Sequence, residues 1–409
     1  MIHVLFVAPY LLENTLRTVR ALVGVRGTRV GLISADPAAR LAAADPALHG
    51  AIAGHYRVDD PADPAQLTAA VRAFQAEWGR VDRLLGSLEQ LQVPLGAARS
   101  ACGVPGMSLD VARNFRDKDR MKEVLRAAGL PVARHVAARS ADEVRAFAAA
   151  VGLPIILKPV AGVGARQTLR VTDEAGLAAA IAAHAPSADR PVQVEEFITG
   201  IERTFEAVLI DGQPVWWSGS RYHPTPLQVL EHPWMQYTVT LPRTPEDAHT
   251  RFAPVGVAAV QALGLRTGLC HMEWFERADG SFVIGEVGAR PPGVNLMPLM
   301  SAVHDVDMVA RWCHLMVHGE FTPLPRVRAA GTAFFRGQGQ GQRVVAVHGL
   351  DAAQKAVGQL VIDRRLPVIG QPATEGYEGE GWAIVAHEHT AEVERALGAL
   401  VRLVRVELG

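Results

Sequence analysis

Cysteine is scarce in this chain: three residues in 409, Cys102, Cys270 and Cys313, far apart and odd in number. No disulfide framework or CxxC metal knuckle can be drawn from them, and a reducing cytoplasm fits best. An excess of one charge is also missing. Forty-one Lys and Arg against 42 Asp and Glu leave a formal charge of −1, which excludes a nucleic-acid binder held by bulk charge. Long apolar runs are absent too. The opening Met1–Leu12 stretch has no basic leader and is broken by Glu13-Asn14, so it is wrongly flanked for a signal peptide and short of the ~20 residues that cross a bilayer. No membrane partner is expected. The 15 histidines contain no HExxH spacing, so none is assigned to zinc. After the first apolar run comes Ala8-Pro9-Tyr10, not the glycine-rich turn of a dinucleotide site. The N-terminal part therefore reads as a structural or substrate-flanking domain.

What is present is a globular composition, 49% apolar and 20% charged. The length exceeds the roughly 250–300 residues at which a single core stops growing, so two or three domains are expected. Strand-like runs at 2–8, 29–34 and 81–85 alternate with helical patterns at 12–23, 63–78 and 88–102, as in a doubly wound parallel α/β domain over residues 1–112. From Asn114 onward two short helical patterns precede strands at 153–159, 192–195, 204–210, 268–275 and 281–287. That mixture suggests an α+β nucleotide-clamping domain over 113–321. A Pro-rich stretch, Thr322–Arg326, reads as a linker to a small α+β unit over 322–409, closed by an amphipathic helix at 391–403.

Three constellations could carry chemistry. Lys158 ends a short β run and is followed by Ala161-Gly-Val-Gly164; a lysine beside a loop of small residues can meet a polyphosphate, although each feature alone is equally a solvated surface turn. The segment Val192–Glu202 holds Glu195, an apolar Phe197-Ile198 pair and Glu202. It reads as an adenosine site or as a solvated strand edge. Gly268–Arg290 reads as a hairpin in which Glu273 and Glu286 face each other. Opposed carboxylates destabilise a sheet, so a cation between them is favoured over a salt-bridged surface hairpin, and hard oxygen donors select magnesium or manganese. Arg290 could hold a carboxylate or phosphoryl group in a bidentate fork.

In this order the lysine, glycine loop, acidic hinge, paired glutamates and arginine resemble the ATP-grasp superfamily, and the C-terminal part resembles bacterial L-amino-acid (dipeptide) ligases. The resemblance implies a central ATP-grasp domain. It implies Lys118 and Lys158 on the phosphates of ATP, Gly162 and Gly164 in the loop above them, Glu195 and Ile198 at adenine, and Glu202 at ribose. Glu273 and Glu286 would hold Mg2+ (or Mn2+), with Arg290 beside the reacting carboxylate. Two positions depart from the pattern: Gly288 stands where the superfamily usually has a metal-binding Asn, with Asn295 nearby as a substitute, and Ala165-Arg166-Gln167 replaces a Ser and a Gly of the phosphate loop. His271, two residues before Glu273, is expected at the metal site or substrate, or equally in the core. Arg221, Tyr222, His223 and Trp234, in a Pro-rich loop, are expected to fold over the substrate side chain.

The implied activity is an ADP-forming carboxylate–amine ligase working through an acyl phosphate on small carboxylate and amine substrates, as an enzyme that allows a homodimer. A biotin-carboxylase-like carboxyl activation, or an ATP-binding regulator without turnover, are the other readings.

Overall fold

The computed structural model describes every residue except 161–166, 375 and 377. Its first sheet is wholly parallel, with strands in the order Gly54–Arg57, Thr28–Ser34, Ile2–Val7, Arg83–Leu85. The reason lies in the first strand, where both sets of alternating side chains are apolar. Val4 and Phe6 pack with Leu16, Val19 and Leu22 of helix Glu13–Val23. Leu5 and Val7 pack with Leu67, Val71 and Phe74 of helix Pro64–Trp78. Covering both faces removes each of these side chains from water, worth about 1.5–3 kcal/mol apiece. The second helix starts at Asp63, whose carboxylate accepts from the Ala65 N–H, and ends at Gly79 in a left-handed conformation, φ 80°.

A second sheet, wholly antiparallel, runs His135–Ala138, Val192–Glu196, Ile155–Pro159, Leu169–Val171. Helices Ala141–Val151 and Glu174–His184 cover it through Val144, Leu177 and Ile181. A third sheet, of nine strands among the described residues, begins with Phe282–Gly288, Gly268–Glu276 and Ile201–Ile210, on which Gln213–Ser218 also pairs, and continues through Arg221–His223 and Tyr237–Leu241 to Ala329–Phe335, Gly381–His387 and Val361–Arg365. Strands from both sides of residue 322 thus share one sheet. The Pro-rich stretch before them has no regular structure, yet Arg326 is tied to the Pro242 carbonyl (2.5 Å) and Ser218 Oγ (3.0 Å).

The expected strands at 192–195, 204–210, 268–275 and 281–287 appear as 192–196, 201–210, 268–276 and 282–288. Helix Asp247–Leu263, which no pattern above anticipated, packs Phe252 flat on Trp274 with ring centroids 3.9 Å apart. The stretch read as a Pro-rich loop is instead a strand, Arg221–His223, and a helix, Pro226–Glu231. Thr225 and Gln228 form a reciprocal capping box around Pro226 at the first helical position, which suffices to start a helix there.

No helix among the described residues is long and apolar enough to cross a membrane.

Candidate active site

A cavity of about 440 Å³ opens where the second sheet meets the third. Ile156, Phe197 and Ile198 form its apolar wall; Lys118, Lys158 and Arg290 bring positive charge, and Glu202, Glu273 and Glu286 negative. Ten of the sequence-selected residues line it: these nine, without Ile156 and Phe197 and with Glu195, together with His271 and Tyr222. Gly162 and Gly164 lie outside the described residues.

The charges are arranged in pairs. Glu195 stands between two lysines, with Lys158 Nζ at 3.0 Å and Lys122 Nζ at 3.4 Å. Burial would raise its carboxyl, but the two ammonium groups outweigh it and hold the pKa at about 2. Burial also lowers Lys122, whose side chain is 1% exposed. Lys158 stays above the ordinary lysine range against the same burial because of Glu195 and Glu286. Lys118 Nζ lies 2.6 Å from Glu286 Oε1.

The hairpin has the register its sequence suggests: Glu273 is the direct partner of Glu286 and His271 of Gly288. Burial and then the opposed Glu286 raise Glu273, although His271, Arg290 and Lys118 pull the other way. Glu286 is held below the usual range, since Lys118 and Lys158 overcome its burial. Glu202 is pushed well above that range by burial and by Glu273. Three carboxylates this close cannot all keep their charge cheaply. Among the described residues, no group of three or more His, Cys, Asp or Glu side chains is placed to hold a metal ion. Two opposed carboxylates suit a hard ion that brings other oxygen ligands with it.

Arg290 donates from Nη2 (2.6 Å) and Nε (3.1 Å) to one oxygen of Glu89, and Arg116 reaches the other at 3.4 Å. Glu89 thereby joins the first domain to the cavity. Neither it, nor Lys122, nor the fully buried Glu206 behind His271 was singled out from sequence. Lys122 follows Lys118 by four residues and Glu206 follows Glu202 by four, which places each pair on one helix or strand face; Glu89 offers no such signal.

Three residues expected over the substrate are elsewhere. Arg221 is paired with Glu246 (3.2 Å) and Glu394, His223 is exposed, and Trp234 is 55% exposed. The helix at 226–231 turns Leu227 and Gln228 to the cavity in their place. Asn295 donates to Thr332 Oγ1 at 3.4 Å and does not line the cavity.

Residues 123–294 match the ATP-grasp domain family. An uncharacterized protein of Sinorhizobium fredii is 28% identical over 75% of this chain and 63% of its own length. The L-arginine-specific L-amino acid ligase of Bacillus subtilis is 22% identical over 62% of each, and the alanine–anticapsin ligase of the same species 24% over 60% of this chain and 56% of its own. The chain thus spans less than two thirds of these curated relatives. Among solved structures, an L-amino acid ligase from Bacillus licheniformis superposes with a TM-score of 0.76 at 18% identity, over 100% of this chain and 99% of that one. An N5-carboxyaminoimidazole synthetase from Staphylococcus aureus complexed with ADP gives 0.70 at 11% identity, over 98% and 97%. The chain carries an ATP-grasp domain.

Proposed function

We propose that this protein is an ATP-dependent carboxylate–amine ligase that forms an amide or peptide bond between small molecules, at least one an amino acid, and releases ADP and phosphate. The observation that carries the reading is the convergence of Lys118, Lys158, Glu273, Glu286 and Arg290 on one cavity from four separate segments of the chain. The two curated amino-acid ligases it resembles support the substrate class.

The adenine would lie against Ile156, Phe197 and Ile198, with Glu202 at the ribose. Lys118 and Lys158 would take the phosphates, exchanging their carboxylate partners for phosphate oxygens. Mg2+ (or Mn2+) held by Glu273 and Glu286 would neutralise charge on the transferring phosphoryl group. Arg290, steadied by Glu89, would orient the substrate carboxylate for in-line attack on the γ-phosphorus, giving an acyl phosphate that the amine then opens with loss of phosphate. Every one of these roles is positioning or charge stabilisation, so no protein nucleophile is required. Three free thiols are consistent with a cytoplasmic enzyme.

The test is incubation with ATP, Mg2+ and pools of amino acids, following phosphate release and identifying condensed products by mass spectrometry. Phosphate release that requires an amino acid supports the reading. Release that requires bicarbonate instead, or none with any pool, refutes it.

A further inference from the structure

The roles above leave Lys122 without a part. It follows Lys118 by one turn on helix Lys118–Ala127, and its side chain is almost wholly buried. Its Nζ donates to the carbonyl of Gly285 at 3.1 Å and stands 3.4 Å from Glu195 Oε1. Both partners are acceptors, as an ammonium group needs. Glu195 Oε1 also accepts from Gln193 Nε2 at 3.3 Å, while Lys158 Nζ lies 3.0 Å from the other oxygen, Oε2. One carboxylate therefore serves two lysines, one from the helix and one from strand Ile155–Pro159. Of the two, Lys158 lines the cavity and Lys122 sits behind Glu195, away from it.

The second lysine has a physical use once a ligand arrives. When Lys158 turns to a phosphate oxygen, Glu195 stays behind in a buried position. A buried carboxylate without a cation is strongly unfavourable, so Glu195 alone would draw Lys158 back and oppose the ligand. With Lys122 in place, Glu195 keeps a cation whether Lys158 faces it or faces the cavity. The three side chains together carry one net positive charge, and it is the lysine on the cavity side that can present it.

We propose that Lys122 is a positioning residue for nucleotide binding: it is the standing cation of Glu195, which frees Lys158 to leave that carboxylate for a phosphate oxygen. The inference rests on the assignment of Lys158 to the phosphates in the proposed function. It also accounts for the Gly285 bond, which holds the Lys122 ammonium in place from a third segment of the chain while Lys158 changes partner. Because Lys122 acts through Glu195 on the phosphate end of the ligand, its removal should be felt by a nucleotide and not by a nucleoside, and only while Glu195 carries its charge.

The test is a double-mutant cycle on the full chain with Mg2+, in which the affinity for a non-hydrolysable ATP analogue is measured by calorimetry and that for adenosine by competition against it. Lys122→Met is expected to weaken the analogue at least about tenfold and to leave adenosine unchanged. In the Glu195→Gln background, where no carboxylate needs a cation, most of that loss disappears. Removing both charges of a buried pair is far better tolerated than removing one, so the double variant is expected to fold; should Lys122→Met alone not fold, Lys122→Gln, which keeps a donor and removes only the charge, takes its place. An unchanged analogue affinity in the single variant, an equal loss for analogue and adenosine, or the same loss in both backgrounds overturns the inference and leaves the nucleotide site standing. Analogue affinity unchanged in Lys158→Met overturns the phosphate assignment and the inference with it.

Discussion

Lys118 Nζ and Glu286 Oε1 stand 2.6 Å apart although 168 positions separate them in sequence. The residue assigned to phosphate and the residue assigned to metal are thus each other's partner. A nucleotide with its cation offers both a stronger one: phosphate oxygens for the ammonium, a divalent ion for the carboxylate. Under the proposed function, binding at this site would be an exchange of ion pairs that spares the lysine and the glutamate an uncompensated charge in either condition.

Glu286→Gln keeps the shape and removes the charge. Loss of a metal interaction at the transferring phosphoryl group is worth several kcal/mol, so turnover should fall by at least about two orders of magnitude. Thermal stability should fall as well, because the Lys118 side chain, 8% exposed, loses its 2.6 Å partner, but far less than turnover does. Steady-state kinetics and a melting curve of the same preparation check this, and turnover within a factor of a few of the original contradicts it.

Glu195 predicts an acid limb. Its pKa sits at about 2 against an ordinary 4.5, a depressed value, so the stability it contributes is fully present above the ordinary carboxylate range. That stability is lost as pH falls from about 4.5 toward 2. Denaturant titrations at stepped pH should show a steeper loss of stability through this window in the unmutated protein than in Glu195→Gln. Parallel curves would mean that Lys122 and Lys158 do not hold the carboxylate in solution.

A Cβ at Gly288 would make only ordinary van der Waals contacts, 3.7 Å from Arg290 Cγ and 3.9 Å from the His271 carbonyl oxygen. Gly288→Asn, whose Cβ is accommodated without a clash, should fold and, by adding an oxygen ligand, should lower the Mg2+ concentration for half-maximal turnover. A higher Mg2+ requirement would count against the metal position.

Trp234, 55% exposed, should be silent: Trp234→Ala leaves both nucleotide affinity and the ranking of substrates unchanged. Leu227→Ala, at a residue that faces the cavity, should change the ranking. Turnover over a panel of amino acids separates the two outcomes.

How much of this was readable from sequence depended on the range of the interaction. The hairpin and the facing of Glu273 and Glu286 were legible, although their pairing depends on a register shift between Glu273 and Trp274 that regular alternation about the turn does not supply. So were the apolar strand Ile2–Val7 and the lysine at the end of Ile155–Pro159. Lys122 beside Glu195 and Glu89 beside Arg290 join residues 73 and 201 positions apart, and no local spacing encodes such a meeting. The Arg221–Trp234 segment was misread for a different reason. Its prolines suggested a loop, but a proline at the first helical position after a Thr cap starts a helix, and that helix turns Trp234 outward while bringing Leu227 and Gln228 in.

In the proposed reaction a substrate carboxylate oxygen attacks the γ-phosphorus of ATP. Supplying the carboxylate substrate with 18O and analysing the released phosphate by mass spectrometry tests this directly, because the attacking oxygen stays with the phosphate when the amine displaces it. One 18O atom is expected in each phosphate, with ADP formed in equal amount to the amide. Label recovered in AMP, or phosphate free of label, would contradict it.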